Sequence, residues 1–183
     1  MEISEKKAQF RSDAREVLRR ISDKENRSFV LLERLQQEPL FQKASIVSLF
    51  ISMPDEVLTD SIAQYCWKNG IGVGVPLFEP HLEASPVIRH RQWNESAQME
   101  SVHAGILQPI EGADIALDEI DLVLVPGLAF CQDGRRLGRG VGFYDRFLSQ
   151  FKGSSIGLCF QEQLVSELPW EEHDRKVDFV ISC

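Results

Sequence analysis

The chain offers little material for a disulfide framework or a zinc site. Its four cysteines form no Cys-x-x-Cys pair and are widely scattered, at Cys66, Cys131, Cys159 and Cys183. No histidine stands at zinc spacing from them, so both scaffolds are poorly supported and buried free thiols are expected. The histidines at 81, 90 and 103 share no spacing typical of a metal site, and we expect all three, His81, His90 and His103, to be partly exposed.

The chain also lacks long apolar runs and an excess of basic residues. No run approaches the roughly 18 apolar residues that a membrane-spanning helix needs. The segment Met1–Lys7 is polar and charged, so we expect no secretory signal and a cytoplasmic location. Lysine and arginine number 20 against 28 aspartates and glutamates, a formal net charge of -8. This acidic balance argues against nucleic acids and anionic membranes as partners.

What is present is ordinary for a soluble globular protein, with 43% hydrophobic and 26% charged residues. The 183 residues are enough to bury a substantial core. No internal repeat or flexible linker divides them, so residues 1–183 are predicted to form a single domain, and a monomer is expected.

Helical periodicity predicts two helices near the start of the chain. Apolar residues recur at helical spacing from Ser4 to Ile21, and a second periodic segment runs from Phe29 toward Pro39. The segment Ser22–Glu25 matches a capping box that would begin the second helix. We therefore expect an N-terminal helical hairpin.

After residue 40 the pattern alternates between strands and helices. Short runs rich in β-branched residues predict strands at Ile46–Ser52, Ile71–Val75, Leu122–Val125, Ser155–Cys159 and Val177–Ile181. Helices are predicted at Thr59–Asn69, from Phe143 to about Phe151, and at Glu162–Leu168. The residues from 78 to 105 suggest a hairpin or an irregular insertion, and those from 114 to 119 a loop or short turn. The alternation indicates an α/β fold with a mostly parallel sheet and helices on both faces.

The segment Gly134–Arg146, which we call the glycine-arginine loop, has the composition of an anion site. Gly138, Gly140 and Gly142 alternate with larger residues, so the backbone there can bring its N–H groups close to a ligand. Arginines supply planar charged groups that suit phosphate, and the helix predicted to begin at Phe143 favours anions at its N-terminus. The alternative is a solvated, mobile surface loop. The spacing is that of neither a dinucleotide fingerprint nor a P-loop.

Three carboxylates are candidates for metal or ligand binding. Asp145 could hold magnesium next to a bound polyphosphate, and Asp178 could join it if the neighbouring strands adjoin. Glu56 follows a predicted strand at the sheet edge where α/β proteins bind ligands. The alternatives are that Asp145 interacts only with the helix dipole and that Glu56 caps the next helix.

A longer pattern surrounds the loop and extends over nearly the whole chain. Around the loop it comprises Leu124–Phe130, Gly134, Arg136–Gly138, Gly140, Gly142 and Tyr144–Arg146. Elsewhere it comprises Lys7, Arg11, Ser48–Glu56, Ile106–Pro109, Gln163, Leu168–Pro169, His173–Asp174 and Val177–Asp178. Together these closely resemble the 5-formyltetrahydrofolate cyclo-ligase family, also called the methenyltetrahydrofolate synthetases.

The resemblance implies a three-layer fold like that of sugar-phosphate isomerases and an ATP- and magnesium-dependent cyclisation. In that reaction the formyl oxygen of 5-formyltetrahydrofolate is phosphorylated and the neighbouring nitrogen attacks the activated carbon. Phosphate then leaves, which yields 5,10-methenyltetrahydrofolate and ADP. The small-molecule partners would thus be ATP and a folate.

The resemblance also implies roles for residues of this chain. ATP would contact Lys7, Arg11, Arg136, Leu137, Gly138, Arg139, Gly140, Val141, Gly142, Phe143 and Tyr144. Folate would contact Ile51, Met53, Glu56, Phe143 and Tyr144. Arg139 and Tyr144 would be catalytic, and Asp145 and Asp178 would hold magnesium.

Some positions depart from the family pattern, and two other functions stay open. Val141 stands where the family often has glycine or lysine, and Phe143 replaces a frequent tyrosine. Ala104 and Cys131 stand where an aromatic residue and an aspartate are common. The alternatives are a sugar-phosphate isomerase or deaminase of similar architecture, and a catalytically silent nucleotide- or folate-binding protein.

Overall fold

The computed structural model describes residues 2–78, 88–102 and 105–183. Its α-helices are α1 (Ile3–Arg20), α2 (Lys24–Leu35), α3 (Pro39–Lys43), α4 (Asp60–Lys68) and α5 (Phe143–Leu148). Its strands are β1 (Ile46–Ser48), β2 (Gly72–Pro76), β3 (His90–Gln92), β4 (Met99–Ser101), β5 (Leu107–Pro109), β6 (Asp114–Ile115), β7 (Leu122–Val125), β8 (Ala129–Phe130), β9 (Arg136–Leu137), β10 (Ser154–Cys159) and β11 (Phe179–Ser182). Short 3-10 turns lie at Leu117–Glu119 and Gln161–Gln163. Within the described ranges, every helix is too short or too polar to cross a membrane.

The central sheet confirms the predicted α/β fold. Its seven strands lie in the order β11-β10-β7-β1-β2-β3-β6. Neighbouring strands are parallel from β11 to β2, and β3 and β6 extend the sheet with antiparallel pairs. The pairs β4-β5 and β8-β9 form two small antiparallel sheets of their own.

Side chains that alternate along β7 show why both faces of the sheet are covered. Leu122 and Leu124 are wholly buried in a large core that also holds Leu31 of α2 and Ile62 of α4. The residues between and after them, Val123 and Val125, join a second core with Phe147 of α5. A strand that is apolar on both faces is typical of a parallel sheet between two helical layers.

The helices at the start of the chain pack against different elements. α1 contacts the Gln161–Gln163 turn, whereas α2 contacts α4 and β11. The predicted hairpin of these two helices is therefore not confirmed. The predicted capping box at the start of α2 is wrong: Asp23 is the N-cap, in a left-handed conformation (φ 56°), and its side chain makes no capping hydrogen bond. It accepts a hydrogen bond from the Asn26 amide instead.

Two predicted elements are shorter than expected. The first strand ends at Ser48 rather than Ser52, because beyond Leu49 the chain leaves the ladder to line the cavity described below. The α-helix predicted at Glu162–Leu168 is a single 3-10 turn, Gln161–Gln163. There the Gln163 side chain accepts a hydrogen bond from the Phe160 N–H and donates one to the Gly127 carbonyl. One local and one tertiary contact of Gln163 thus hold this turn where further helical turns were expected.

The histidines also differ from expectation. His90 lies in β3 and is 1% exposed, in contact with the ring of Phe147 on α5. The prediction of partial exposure is wrong for this residue, because β3 places it on the face of the sheet that α5 covers. His81, His103 and Ala104 lie outside the described residues.

The hairpin of β8 and β9 is held against the sheet by the ring of Phe130. This ring is fully buried, and glycines stand where it meets neighbouring chain segments. A Cβ atom at Gly157 of β10 would lie 2.5 Å from the ring, and one at Gly127 would lie 2.7 Å from it. The absence of side chains at these two positions therefore lets Phe130 fit between the hairpin and the sheet.

Candidate active site

A cavity of about 350 Å³ lies where β1, β2 and β7 end. Phe50 and Ile51 follow β1, Val75 and Pro76 end β2, and Pro126 and Gly127 follow β7; all six line the cavity. The carboxyl edge of a parallel sheet is the usual ligand site in α/β proteins. The glycine-arginine loop forms much of another wall.

The structure brings nearly all predicted site residues to this one cavity. Those implied for ATP all line it: Lys7, Arg11 and each residue from Arg136 to Tyr144. Those implied for folate, Ile51, Met53, Glu56, Phe143 and Tyr144, line it too. Asp145 is also among the lining residues.

Three of the four glycines of the loop, all except Gly138, have conformations that other residues adopt only with strain. Gly140 has φ 109° and Gly142, the N-cap of α5, has φ 70°. Between them the Val141 carbonyl accepts a hydrogen bond from Arg146 Nη1 at 2.9 Å. A Cβ atom at Gly140 would come within 3.4 Å of the Arg11 guanidinium. The loop is thus folded closely around cationic groups, with its backbone open to the cavity.

Arg136 is the most deeply buried cation of the site. Its Nη2 donates to Asp145 Oδ1 at 2.9 Å, and its guanidinium lies 5.5 Å from the centre of the Tyr144 ring. Burial lowers the pKa of Arg136, although the Asp145 carboxylate opposes this effect. Its Nε is buried without a hydrogen-bond partner in the described part of the chain. An arginine with an unused buried donor beside a glycine-rich loop is suited to an anionic ligand.

Lys7 reaches the cavity from α1 and is paired with two acids. Its Nζ lies 2.6 Å from Asp174 Oδ2 and 2.7 Å from Glu171 Oε2. Burial acts to lower the pKa of Lys7, but the hydrogen bonds to Asp174 and Glu171 outweigh it and the pKa is raised. The ammonium group therefore stays charged. Glu171 was missed in the sequence, and Asp174 entered only as part of the family pattern.

Arg139 joins the loop to the chain segment that follows β1. Its Nε and Nη2 donate to Glu56 Oε1 at 3.1 and 3.0 Å, and Nη2 also donates to Asp55 Oδ1 at 2.5 Å. Glu56 Oε2 accepts the Met53 N–H at 2.9 Å. Burial raises the pKa of Glu56, and the Met53 N–H and Arg139 offset this only in part. Arg139 and Glu56 thus form one hydrogen-bonded unit.

The structure does not bring Asp178 to the cavity. Its Oδ2 accepts hydrogen bonds from the Ser155 N–H at 2.8 Å and the Ser155 hydroxyl at 2.7 Å, which pins β11 to β10. Asp178 is not among the lining residues, whereas Asp174 is. On this stretch some side chains face solvent, some line the cavity and some contact the sheet. The sequence pattern did not show which of them line the cavity. In the described ranges, no three acidic, histidine or cysteine side chains cluster as a metal site.

Apolar residues with no role in the site predicted from the sequence form the rest of the wall. They are Phe50, Val75, Pro76, Phe78, Ile106 and Leu107. Four of them lie at or shortly after the carboxyl ends of β1 and β2, which was the available signal. An apolar wall opposite charged groups fits a ligand with a flat aromatic part and an anionic part.

Comparisons with known proteins agree with this geometry. Residues 3–183 match the model of the 5-formyltetrahydrofolate cyclo-ligase family. The 5-formyltetrahydrofolate cyclo-ligase of Mus musculus is 31% identical over 98% of this chain and 94% of its own. The NMR structure of Aquifex aeolicus 5,10-methenyltetrahydrofolate synthetase is 28% identical with a TM-score of 0.83, over 96% of this chain and 89% of that one.

A further solved structure supports the fold alone. A 5,10-methenyltetrahydrofolate synthetase from Mycoplasma pneumoniae is 20% identical, with a TM-score of 0.74 over 96% of this chain and 97% of that one. The likeness thus extends from the first helix to the last strand, and includes the elements that form the cavity. The chain belongs to the 5-formyltetrahydrofolate cyclo-ligase family.

Proposed function

We propose that the protein catalyses the ATP-dependent cyclisation of 5-formyltetrahydrofolate to 5,10-methenyltetrahydrofolate, with release of ADP and phosphate. The observation that carries the proposal is that one cavity is lined both by the residues implied for ATP and by those implied for folate. Arg139 of the first set is hydrogen-bonded to Glu56 of the second. Family membership over residues 3–183 favours this function over a sugar-phosphate isomerase or deaminase.

The triphosphate of ATP would lie against the glycine-arginine loop. Lys7, Arg11 and Arg136 provide positive charge there, and the backbone N–H groups around Gly140 and Gly142 can approach a phosphate closely. The Nε of Arg136, buried without a hydrogen-bond partner among the described residues, supports this fit. These groups would orient the terminal phosphoryl group and offset its charge.

The folate would occupy the apolar part of the cavity. Glu56 would bind the amide and amine edge of the pterin, with Ile51 and Met53 beside the ring. Burial raises the pKa of Tyr144, so its hydroxyl stays protonated and can donate a hydrogen bond to the reacting groups. Phe143, whose ring packs edge-on to that of Tyr144, keeps it oriented.

The proposed chemistry needs positioning more than a protein nucleophile. The formyl oxygen attacks the terminal phosphorus and the bond to ADP breaks. The neighbouring folate nitrogen then attacks the formyl carbon, and the carbon–oxygen bond breaks as phosphate leaves. Phosphoryl transfer of this kind is accelerated mainly by alignment and by charge stabilisation. Arg139, as the cation that joins the loop to Glu56, is placed to stabilise the charge that moves between the two substrates.

We also propose a magnesium ion beside Asp145, and the donor set fits one. Magnesium binds proteins through one or two carboxylates together with substrate phosphates and water. Both hydrogen bonds described for Asp145 use Oδ1, from Arg136 and from the Arg175 N–H, which leaves Oδ2 for a cation. When bound, the ion would neutralise phosphate charge. Asp178 does not line the cavity, and both oxygens of Asp174, which does, accept hydrogen bonds from Lys7 Nζ.

We further propose a cytoplasmic monomer whose partners are small molecules. The net charge of -8 is unsuited to nucleic acids or anionic membranes. The four free cysteines, three of them buried, suit a reducing compartment.

The test is direct. Purified protein mixed with 5-formyltetrahydrofolate, ATP and magnesium should generate the absorbance of the methenyl product, and omission of ATP should abolish it. Tight binding of both ligands without product would favour the silent binder, and turnover of a sugar phosphate without ATP would favour the isomerase.

A further inference from the structure

Arg139 is shared between two neighbouring acids, and only one of them has a predicted role. Glu56 Oε1 accepts from both Nε and Nη2, and Asp55 Oδ1 accepts from Nη2 at 2.5 Å. The side chains of Asp55 and Arg139 are 27% and 30% exposed, so the pair is partly shielded from solvent. Asp55 is not among the residues that line the cavity. Its contact with the site is through Arg139.

The hydrogen bonds of Glu56 conflict with its proposed role. A carboxylate oxygen has two lone pairs, and both of those on Oε1 face Arg139. Oε2 has accepted one bond, from the Met53 N–H, and retains capacity for another. Bidentate binding of a pterin amide and amine needs a lone pair on each oxygen. Glu56 must therefore release at least one Arg139 bond when the pterin binds.

We propose that Asp55 is a positioning residue that keeps Arg139 at the junction of the two substrates when Glu56 turns to the pterin. This inference rests on the proposed function and deepens it. Once the bond to Glu56 is released, Asp55 still holds the guanidinium through Nη2, and Nε and Nη1 are free to face phosphate.

The backbone of Asp55 is fixed well enough to serve as an anchor. The turn from Met53 to Glu56 is closed by two hydrogen bonds, from the Glu56 N–H to the Met53 carbonyl and from the Met53 N–H to Glu56 Oε2. Lys24 Nζ on α2 donates to the Pro54 carbonyl at 3.0 Å. Since that bond and the backbone closure do not involve Arg139, the turn remains anchored when the guanidinium changes partner.

Charge explains why a second acid is useful. An arginine released from its only acid would adopt many rotamers toward solvent or phosphate, and ordering it again would cost side-chain entropy. A charge-assisted bond to Asp55 retains one amino group and leaves the rest of the planar guanidinium available. Asp55 thus limits how far Arg139 can move.

The test compares variants of Asp55 in the methenyl-forming assay. Asp55→Ala should lower kcat by about tenfold or more, since small misplacement of a catalytic group is costly, and should leave the KM for the folate close to that of wild type. Asp55→Glu, which restores the charge, should recover much of the loss. Asp133→Ala is the matched control: Asp133 also binds an arginine, Arg135 Nε at 3.0 Å, but lies outside the cavity lining. It should leave kcat unchanged.

A double variant separates positioning from simple damage to the fold. In an Arg139→Ala background, Asp55→Ala should cause no further loss of kcat, because Asp55 acts through Arg139. An unchanged kcat in Asp55→Ala, or independent losses in the double variant, would overturn the inference while wild-type turnover leaves the proposed function standing. Wild-type protein that forms no product would overturn both.

Discussion

His90 should make the stability of this protein fall in mild acid. The residue is 1% exposed and packs on Phe147 of α5, and a hydrogen bond with the Ile88 backbone offsets the effect of burial on its pKa only in part. Burial lowers its pKa from an ordinary value of 6.5 to about 4. The native state thus holds His90 neutral at a pH where the unfolded chain already binds a proton. Replacement of His90 by leucine removes this proton linkage.

The size of the effect follows from the two pKa values. Above pH 6.5 both states are neutral at this residue, and it adds no pH dependence. As the pH falls below 6.5 the unfolded chain gains a proton and stability decreases, until His90 is also protonated in the native state near pH 4. The full difference is worth about 3 kcal/mol, and about 2 kcal/mol of it falls between pH 7 and pH 5. This is a large share of the stability of an ordinary domain.

Urea unfolding followed by tryptophan fluorescence at pH 7 and pH 5 measures the effect. Comparison of wild type with His90→Leu at each pH cancels the contributions of carboxylates, including Asp114, which lies in the adjacent strand beside Arg89 and Arg91. The advantage of the variant should grow by about 2 kcal/mol from pH 7 to pH 5. An advantage of equal size at both pH values would refute the reasoning.

Four further substitutions test the site and its support. Asp145→Asn should lower turnover strongly in the methenyl assay with a modest change in melting temperature. Asp178→Asn should lower the melting temperature and leave turnover near wild type. The reverse pattern would restore Asp178 as the metal ligand. Glu56→Gln should raise the KM for the folate more than that for ATP, and a change in the ATP constant alone would contradict its role. Gly134→Ala would place a Cβ 2.1 Å from the Val177 carbonyl at φ 88° and should cost about 1–3 kcal/mol or more in urea unfolding, while an unchanged midpoint would mean that the turn relaxes freely.

The sheet and the loop could be predicted because each has a local signal. Leu122–Val125 forms β7 as predicted, since an apolar run of that length between turn residues suits a strand buried on both faces. The glycine-arginine loop was predicted from composition alone, and its glycines at 140 and 142 do have positive φ. The position of Glu56 at the ligand-binding edge of the sheet followed from its place just after a predicted strand.

Features that depend on side-chain direction or on distant contacts were not predictable in this way. Asp174 and Asp178 are four residues apart in a segment that is irregular before β11, and only the fold shows that one faces the cavity and the other Ser155. The pairing of Lys7 with Asp174 spans most of the chain. Burial of His90 depends on α5, which comes much later in the sequence. In each case a tertiary contact determines where the side chain lies, and such a contact produces no periodic pattern in the sequence.

The Phe130 ring has a consequence for how tolerant the site is to change. Arg136 stands directly opposite Phe130 in the β8-β9 hairpin, so a change in the packing of Phe130 would act on the strand that carries the arginine. The ring fits only because Gly127 and Gly157 carry no side chain. A methyl group added at Gly157 in β10, or at Gly127 in the cavity lining, would collide with the ring and so disturb the hairpin that carries Arg136. The arrangement of the anion-binding wall therefore depends on the packing at these two glycines as well as on the charged residues.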